Sequence, residues 1–309
     1  MSQKYAAEAQ ELMKKGDKKL KGGIFSGIFS SKGERAEQAL DCYKAAAAKF
    51  KLSDMWDEAA EAYIKCAKCE EASEGTSVGE YYQEAANMKK RTDKHECIVL
   101  LRKAVEFYQH QDRQGTAGKI QKQIAEIYEQ EGEMENAMAS YQEASKIFSL
   151  ETNSQSDFLN MKIKVADFQS EEPTTYNQAI IAYEEIGKKY SENKLTQGIA
   201  GNIFFKSLLL SLATGDYIGA QNHIEDYMNV CPPFTNTRQA KLINKLIECF
   251  ETNNIEEFSQ QCFEYNQIIP LDRWQLRVLN QAKEHLTKGV NPLGIGNDNG
   301  QENNLNDGL

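Results

Sequence analysis

The chain has 309 residues, 40% hydrophobic and 27% charged, with five prolines and a net charge of −10, a profile that suits a soluble, mostly helical protein with a sizeable core. No run of about 18 apolar residues exists, which excludes a membrane-spanning helix; "MSQKYAAEAQELMKKGD" has no apolar stretch of a secretory signal; and the acidity argues against generic nucleic-acid binding. Seven cysteines without framework spacing fit a reducing compartment, so the expected location is cytosolic.

The N-terminal segment departs from the average. Residues 1–50 carry ten Lys/Arg against six Asp/Glu, a net +4, leaving −14 for the remainder. Lys14, Lys15, Lys18, Lys19 and Lys21 lead into "KGGIFSGIFSSKG", residues 21–33. Glycine and serine keep that stretch from holding a helix. Its large side chains Ile24, Phe25, Ile28 and Phe29 therefore sit on an apolar loop, placed at 22–31.

Beyond the loop a repeat sets in. A small residue followed four positions later by a larger one recurs as Ala39/Tyr43, Ala59/Tyr63, Cys97/Leu101, Ala137/Tyr141, Ala179/Tyr183, Gly201/Phe205 and Ala220/Ile224, with fainter copies at Ala117/Gln121 and Ala240/Asn244. Positions i and i+4 share a helix face, so each unit offers a small residue for close approach and a bulky one to fill the gap. Starts lie about 20 residues apart, which matches a helix of about 15 residues plus a short turn. Turn signals "KLSDMW", "EASEGTSVG", "QHQDRQG", "EQEGEME" and "ATGDY" fall between the units. The pattern resembles tetratricopeptide repeats and predicts an all-α fold, a right-handed solenoid of antiparallel helix pairs, each burying its apolar face against its neighbours.

"CPPF" (Cys231 to Phe234) interrupts the beat, because consecutive prolines cannot continue a helix. The expected organisation is a repeat domain over 1–230, a C-terminal helical bundle over 231–288, and a disordered Asn/Gly-rich tail over 289–309.

Catalytic signatures are missing. His95, His110, His223 and His285 are far apart in sequence and form no H-E-x-x-H pair. "GIFSG" lacks the first glycine of a nucleophile elbow, and no glycine-rich loop carries the Lys-Ser/Thr of a phosphate cradle. Cys66 and Cys69 form a lone C-x-x-C without the second ligand pair of a structural zinc; they read as small residues packing between helices. The adjacent pairs Glu171/Glu172 and Glu184/Glu185 diverge on a helix and read as solvated. Neither a catalytic residue, nor a metal, nor a cofactor is expected.

The segments "IFSGIFSSKGERAEQALDCYKAAAAKFK", "IAEIYEQEGEMENAMASYQEASKIF", "YNQAIIAYEEIGKKY" and "LIECFETNNIEEFSQQCFEYNQIIPLDRWQLRVL" together resemble the alpha-type soluble NSF attachment protein (alpha-SNAP) family, in the same order and from about residue 5 to 288. The resemblance implies an adaptor. It binds the four-helix SNARE bundle, several copies to one bundle, and recruits the AAA ATPase NSF, which pulls the bundle apart. It implies membrane contact through Ile24, Phe25, Ile28 and Phe29, and SNARE contacts from Lys90, Arg113, Lys119 and Lys164. Asn160 stands where the family has a lysine. NSF contacts are implied for Asp216, Glu248 and Glu251, with Thr252 in place of a further acid, and for a C-terminal leucine, Leu305 or Leu309. Trp274 in "LDRW" is expected in the core. The alternatives are a co-chaperone-type repeat receptor for peptide C-termini, which leaves the apolar loop unexplained, and an enzyme or enzyme subunit, against which the missing motifs speak.

Overall fold

The computed structural model describes residues 2–21 and 31–289. Among them are α1 (Ser2–Lys21), α2 (Lys32–Lys51), α3 (Trp56–Ala72), α4 (Val78–Lys89), α5 (Lys94–His110), α6 (Gln114–Gln130), α7 (Met134–Ser149), α8 (Gln155–Gln169), α9 (Tyr176–Ser191), α10 (Gln197–Ala213), α11 (Tyr217–Val230), α12 (Arg238–Thr252), α13 (Ile255–Ile268) and α14 (Arg273–Gly289). Short 3-10 turns precede α8, α9 and α12, and no strand occurs among the described residues. The all-α expectation holds. The chain forms two compact units, Met1–Met161 and Lys162–Leu309, with the division inside α8.

The small-then-bulky beat is what the helices bury. Ala39, Ala59, Cys97, Ala137, Ala179 and Ala220 are fully buried, and so are Leu101, Tyr141 and Tyr183. Tyr63 is half-buried and Asn244 exposed, so the faint copy at Ala240 supplies only its small member. Each small residue lets a neighbouring helix approach, and the four-residue step delivers the next side chain into the same seam.

Six of the turns follow one recipe. Asp54, Glu74, Asp112 and Asn253 have φ between 51° and 57°, while Gly132 and Gly215 have 77° and 82°. A left-handed residue after the last helical turn swings the next amide back onto the helix. The bonds are present: the N–H groups of Met55, Gly75, Arg113, Glu133, Asp216 and Asn254 donate to the carbonyls of Phe50, Glu70, Tyr108, Tyr128, Ser211 and Cys249 at 2.8–3.1 Å.

In the first unit each helix from α1 to α6 packs on the next. Three successive helices are tied at one point: Asp17 Oδ1 accepts the Tyr43 hydroxyl at 2.7 Å and pairs with Lys65 Nζ at 2.8 Å, with that ammonium 5.3 Å from the Tyr43 ring centre. The second unit repeats the device across α8, α9 and α10. Asp167 Oδ1 accepts the Tyr183 hydroxyl at 2.6 Å and pairs with Lys206 Nζ at 2.7 Å, and that ammonium lies 5.5 Å from the Tyr183 ring centre.

α10 organises the second unit. "GIAGNIFFKSLLLSLA" is apolar nearly all round, and a helix of that kind must be covered on every side. α9, α11, α12 and α14 cover it, together with the 3-10 turn at 232–236. The sequence boundary at residue 231 therefore falls inside this unit, and the helices after it complete the α10 core.

Gly187 marks the tightest seam: a Cβ there would stand 2.3 Å from the fully buried Phe204 ring, whereas one at Gly198 meets nothing within 4 Å. Gly187→Ala should cost about 1–3 kcal/mol through overpacking. Gly198→Ala should be neutral or stabilise by up to about 1 kcal/mol, since alanine restricts the unfolded chain. Urea unfolding of the two variants checks the contrast.

Candidate functional site

Acidic side chains gather at one end of the second unit. Asp216 caps α11, its Oδ1 accepting the Gly219 N–H at 2.8 Å. The following Tyr217 stacks on Phe250 of α12, with ring centres 5.6 Å apart, which brings the start of α11 beside the end of α12. There Glu248 and Glu251 occupy the last turn of α12, both exposed. The left-handed Asn253 then reverses the chain, so exposed Glu256 and Glu257 open α13 next to them. All three acids implied by the resemblance fall in this one region.

Local electrostatics separates the five acids into two kinds. Asp216, Glu256 and Glu257 sit at helix N-termini, where the backbone dipole favours negative charge; Glu248 and Glu251 sit at a C-terminus, where it does not. Glu248 is partly compensated by Lys245 at 3.0 Å, and the carboxylate holds that ammonium's pKa above its ordinary value. The fold gains nothing from an acid at position 251. Sequence reading missed Glu256 and Glu257, because an Asn followed by acids is the ordinary signature of a helix start.

The cations implied for the opposite role are spread out. Lys90 closes α4 and is exposed. Arg113 directly precedes α6, with its guanidinium 4.6 Å over the Tyr108 ring. Lys119 is exposed on α6. Lys90 and Arg113 flank α5, whose 17 residues span about 25 Å, so these residues make a spaced series and not a cluster. Lys164 lies on α8 within the second unit and is half-buried. At the departing position Asn160 is exposed, and nearby Lys162 pairs with Glu185 at 3.1 Å.

Ile24, Phe25, Ile28 and Phe29, and likewise Leu305 and Leu309, lie outside the described residues. The chain re-enters at Ser31, which caps α2 in a reciprocal capping box with Glu34. His285, in the last turns of α14, stands against Gly215, so α14 finishes beside the Asp216 turn.

Trp274 is half-buried where the sequence suggested core. Its indole N–H donates to the Ser170 carbonyl at 3.0 Å, and Lys206 lies 5.7 Å from its ring centre. The ring thus packs at the rim of the unit while its polar tip reaches a buried carbonyl. Cys66 and Cys69 are buried between helices, their thiols pushed up to about 12 and about 11 by loss of solvation; at neutral pH both stay protonated. Among the described residues no group of three His, Cys, Asp or Glu is placed to hold a metal ion, and no helix is long and apolar enough to cross a membrane.

Fold and surfaces together define two helical-hairpin units, the first carrying a spaced series of cations and the second an acidic end. The family profile described as "Soluble NSF attachment protein, SNAP" matches residues 7–287, and the chain belongs to that family. It is 33% identical over 283 residues to the alpha-soluble NSF attachment protein of Dictyostelium discoideum, covering 91% of this chain and 97% of that one. The alpha-soluble NSF attachment protein of Mus musculus is 30% identical, with 90% and 94% covered. The vesicular-fusion protein SEC17 of Komagataella phaffii is 28% identical, with 91% and 96% covered.

Because Glu251 opposes the α12 dipole, Glu251→Gln should leave stability unchanged or raise it by about 0.3–1 kcal/mol. Thermal and urea unfolding measure this; a clear loss of stability would show that the carboxylate serves the fold.

Proposed function

We propose that this protein is an adaptor of membrane fusion, which binds SNARE bundles and recruits an NSF-type AAA ATPase to take them apart. The family match over 7–287 carries the reading. It is supported by the acidic end formed by Asp216, Glu248 and Glu251, where two carboxylates oppose their own helix and stand exposed to a basic partner.

Lys90, Arg113, Lys119 and Lys164 are assigned to the acidic surface of the SNARE bundle, with several adaptor copies around one bundle. Complementary charge of this kind raises association rate and sets register more than it adds affinity. The acidic end, extended by Glu256 and Glu257, meets the ATPase, and Leu309 in the tail takes part in stimulating it.

Attachment to the cytoplasmic face of a membrane is assigned to Ile24, Phe25, Ile28 and Phe29. Full burial of each in lipid is worth about 1.5–3 kcal/mol, which partial insertion and chain ordering reduce. Lysines near an anionic leaflet add about 1 kcal/mol apiece, and Lys14, Lys15, Lys18, Lys19 and Lys21 precede the loop. Two weak signals together give reversible peripheral attachment.

Reconstitution with a SNARE bundle, the ATPase and ATP tests the reading as a whole: disassembly should depend on this chain, and disassembly without it would refute the adaptor role. Reversing charge at Lys119 and Lys164 should weaken SNARE-bundle pull-down, most clearly at low salt and less so as salt screens the contacts; unchanged retention at low salt would remove the basic assignment. The wild type should float with anionic liposomes and a Phe25→Ser/Phe29→Ser variant much less. Equal flotation would end the loop's membrane role.

A further inference from the structure

The first unit contains a recess of about 320 Å³ between the end of α3, the start of α4 and the second half of α5, at the lower end of the size range of small-molecule sites, about 300–1,000 Å³. Its floor is aromatic: buried Tyr82 and half-buried Phe107. Its rim is charged and exposed, with carboxylates at Glu71 and Glu106 and basic groups at Lys103 and His110. The rim is organised from below. Tyr82 donates its hydroxyl to Glu71 Oε1 at 3.0 Å, and Lys103 Nζ lies 5.4 Å from the centre of the Tyr82 ring. Burial and that carboxylate push the Tyr82 phenol up to about 12, so it remains a donor at neutral pH.

Aromatic faces beside carboxylates attract a cation with an apolar body, while a lysine and a histidine attract an anion. A ligand that satisfies both carries an ammonium and a phosphate a few bonds apart. We propose that this recess binds the zwitterionic headgroup of a phospholipid, of the phosphoethanolamine or phosphocholine type, with the ammonium between the carboxylates over Phe107 and the phosphate toward Lys103 and His110.

Location favours a lipid as the source of that chemistry. A Cβ at Gly33 would lie 3.7 Å from Ser73 Cα and 3.9 Å from the Ala72 carbonyl, so the chain re-enters after the apolar segment against the end of α3, next to Glu71. A Cβ at Gly79 would lie 3.1 Å from Phe107, which sets the start of α4 against the end of α5. The recess thus lies at the end of the first unit where the chain re-enters at Ser31. This site rests on the proposed membrane role of that end and adds a specific contact to a non-specific one.

The test is a chemical-shift titration of the full chain with glycerophosphoethanolamine and glycerophosphocholine, with inorganic phosphate as a parallel arm. Saturable shifts confined to residues near 71–82 and 103–110 are expected from a headgroup. A Lys103→Gln/Glu106→Gln variant, altered only at exposed positions, should bind at least fivefold more weakly. Silence at those residues, equal binding by the variant, or an equal response to inorganic phosphate would overturn the site. Flotation of the wild type with liposomes, run alongside, separates the two readings: a silent titration with flotation retained removes this site alone, whereas a saturable titration with flotation lost keeps the site and removes the membrane role of the loop.

Discussion

One carboxylate holding a tyrosine hydroxyl and a lysine ammonium at the same oxygen fixes how three helices meet, and each unit is built around one such point. Burial of the Tyr43 and Tyr183 rings supplies about 1.5–3 kcal/mol for a side chain of this size, but an apolar seam alone tolerates sliding. A hydroxyl that must reach Asp17 or Asp167 does not. Hydrogen bonds to a charged group are worth about 1.5–3 kcal/mol when made and cost as much when a partner is lost. The lysine arrives from the third helix, so the pairing is complete only when all three helices are in register. Lys65 and the Tyr43 hydroxyl hold the Asp17 carboxyl below its ordinary pKa. Its contribution is therefore fully present above the unfolded value and is lost as pH falls through the folded one. Burial and Asp167 push the Tyr183 phenol far up, keeping it a donor under all ordinary conditions.

This arrangement explains which parts of the fold were legible in the sequence. A small residue and a bulky one at i and i+4 lie on one helix, so Ala39/Tyr43 and Ala179/Tyr183 could be read directly. The partners of their hydroxyls could not, since Asp17 is 26 residues before Tyr43, while Asp167 is 16 before Tyr183 and Glu129 only 12 before Tyr141. The separation changes with every helix and turn length, and no fixed spacing marks it. The position of the last helices escaped for a related reason. "CPPF" reads as an interruption, and so it is, but α10 is apolar on every side and draws the chain beyond the prolines back onto itself.

The charged surfaces were legible to different degrees. Asp216, Glu248 and Glu251 are scattered in sequence, and only a resemblance joined them; stacking of Tyr217 on Phe250 is what joins them in space. Glu256 and Glu257 were hidden by their own respectability as first-turn acids. The aromatic recess left no trace, because Glu71, Tyr82 and Phe107 come from three helices. In each case the sequence carries the residue type, and the turn geometry decides its company.

Net charge is a poor guide to what such a scaffold can hold. A chain at −10 should repel an acidic partner if its charges acted together. At physiological salt, however, exposed charges more than about 8 Å apart are largely screened, so a partner meets only the patch in front of it. Helix hairpins make that separation possible. They are stiff along their axes, and α5 alone holds Lys90 and Arg113 about 25 Å apart. The uneven distribution, +4 in the first 50 residues and −14 in the rest, then has a physical use. A basic start suits an anionic leaflet and an acidic end suits a basic partner, each acting only within its own screened reach.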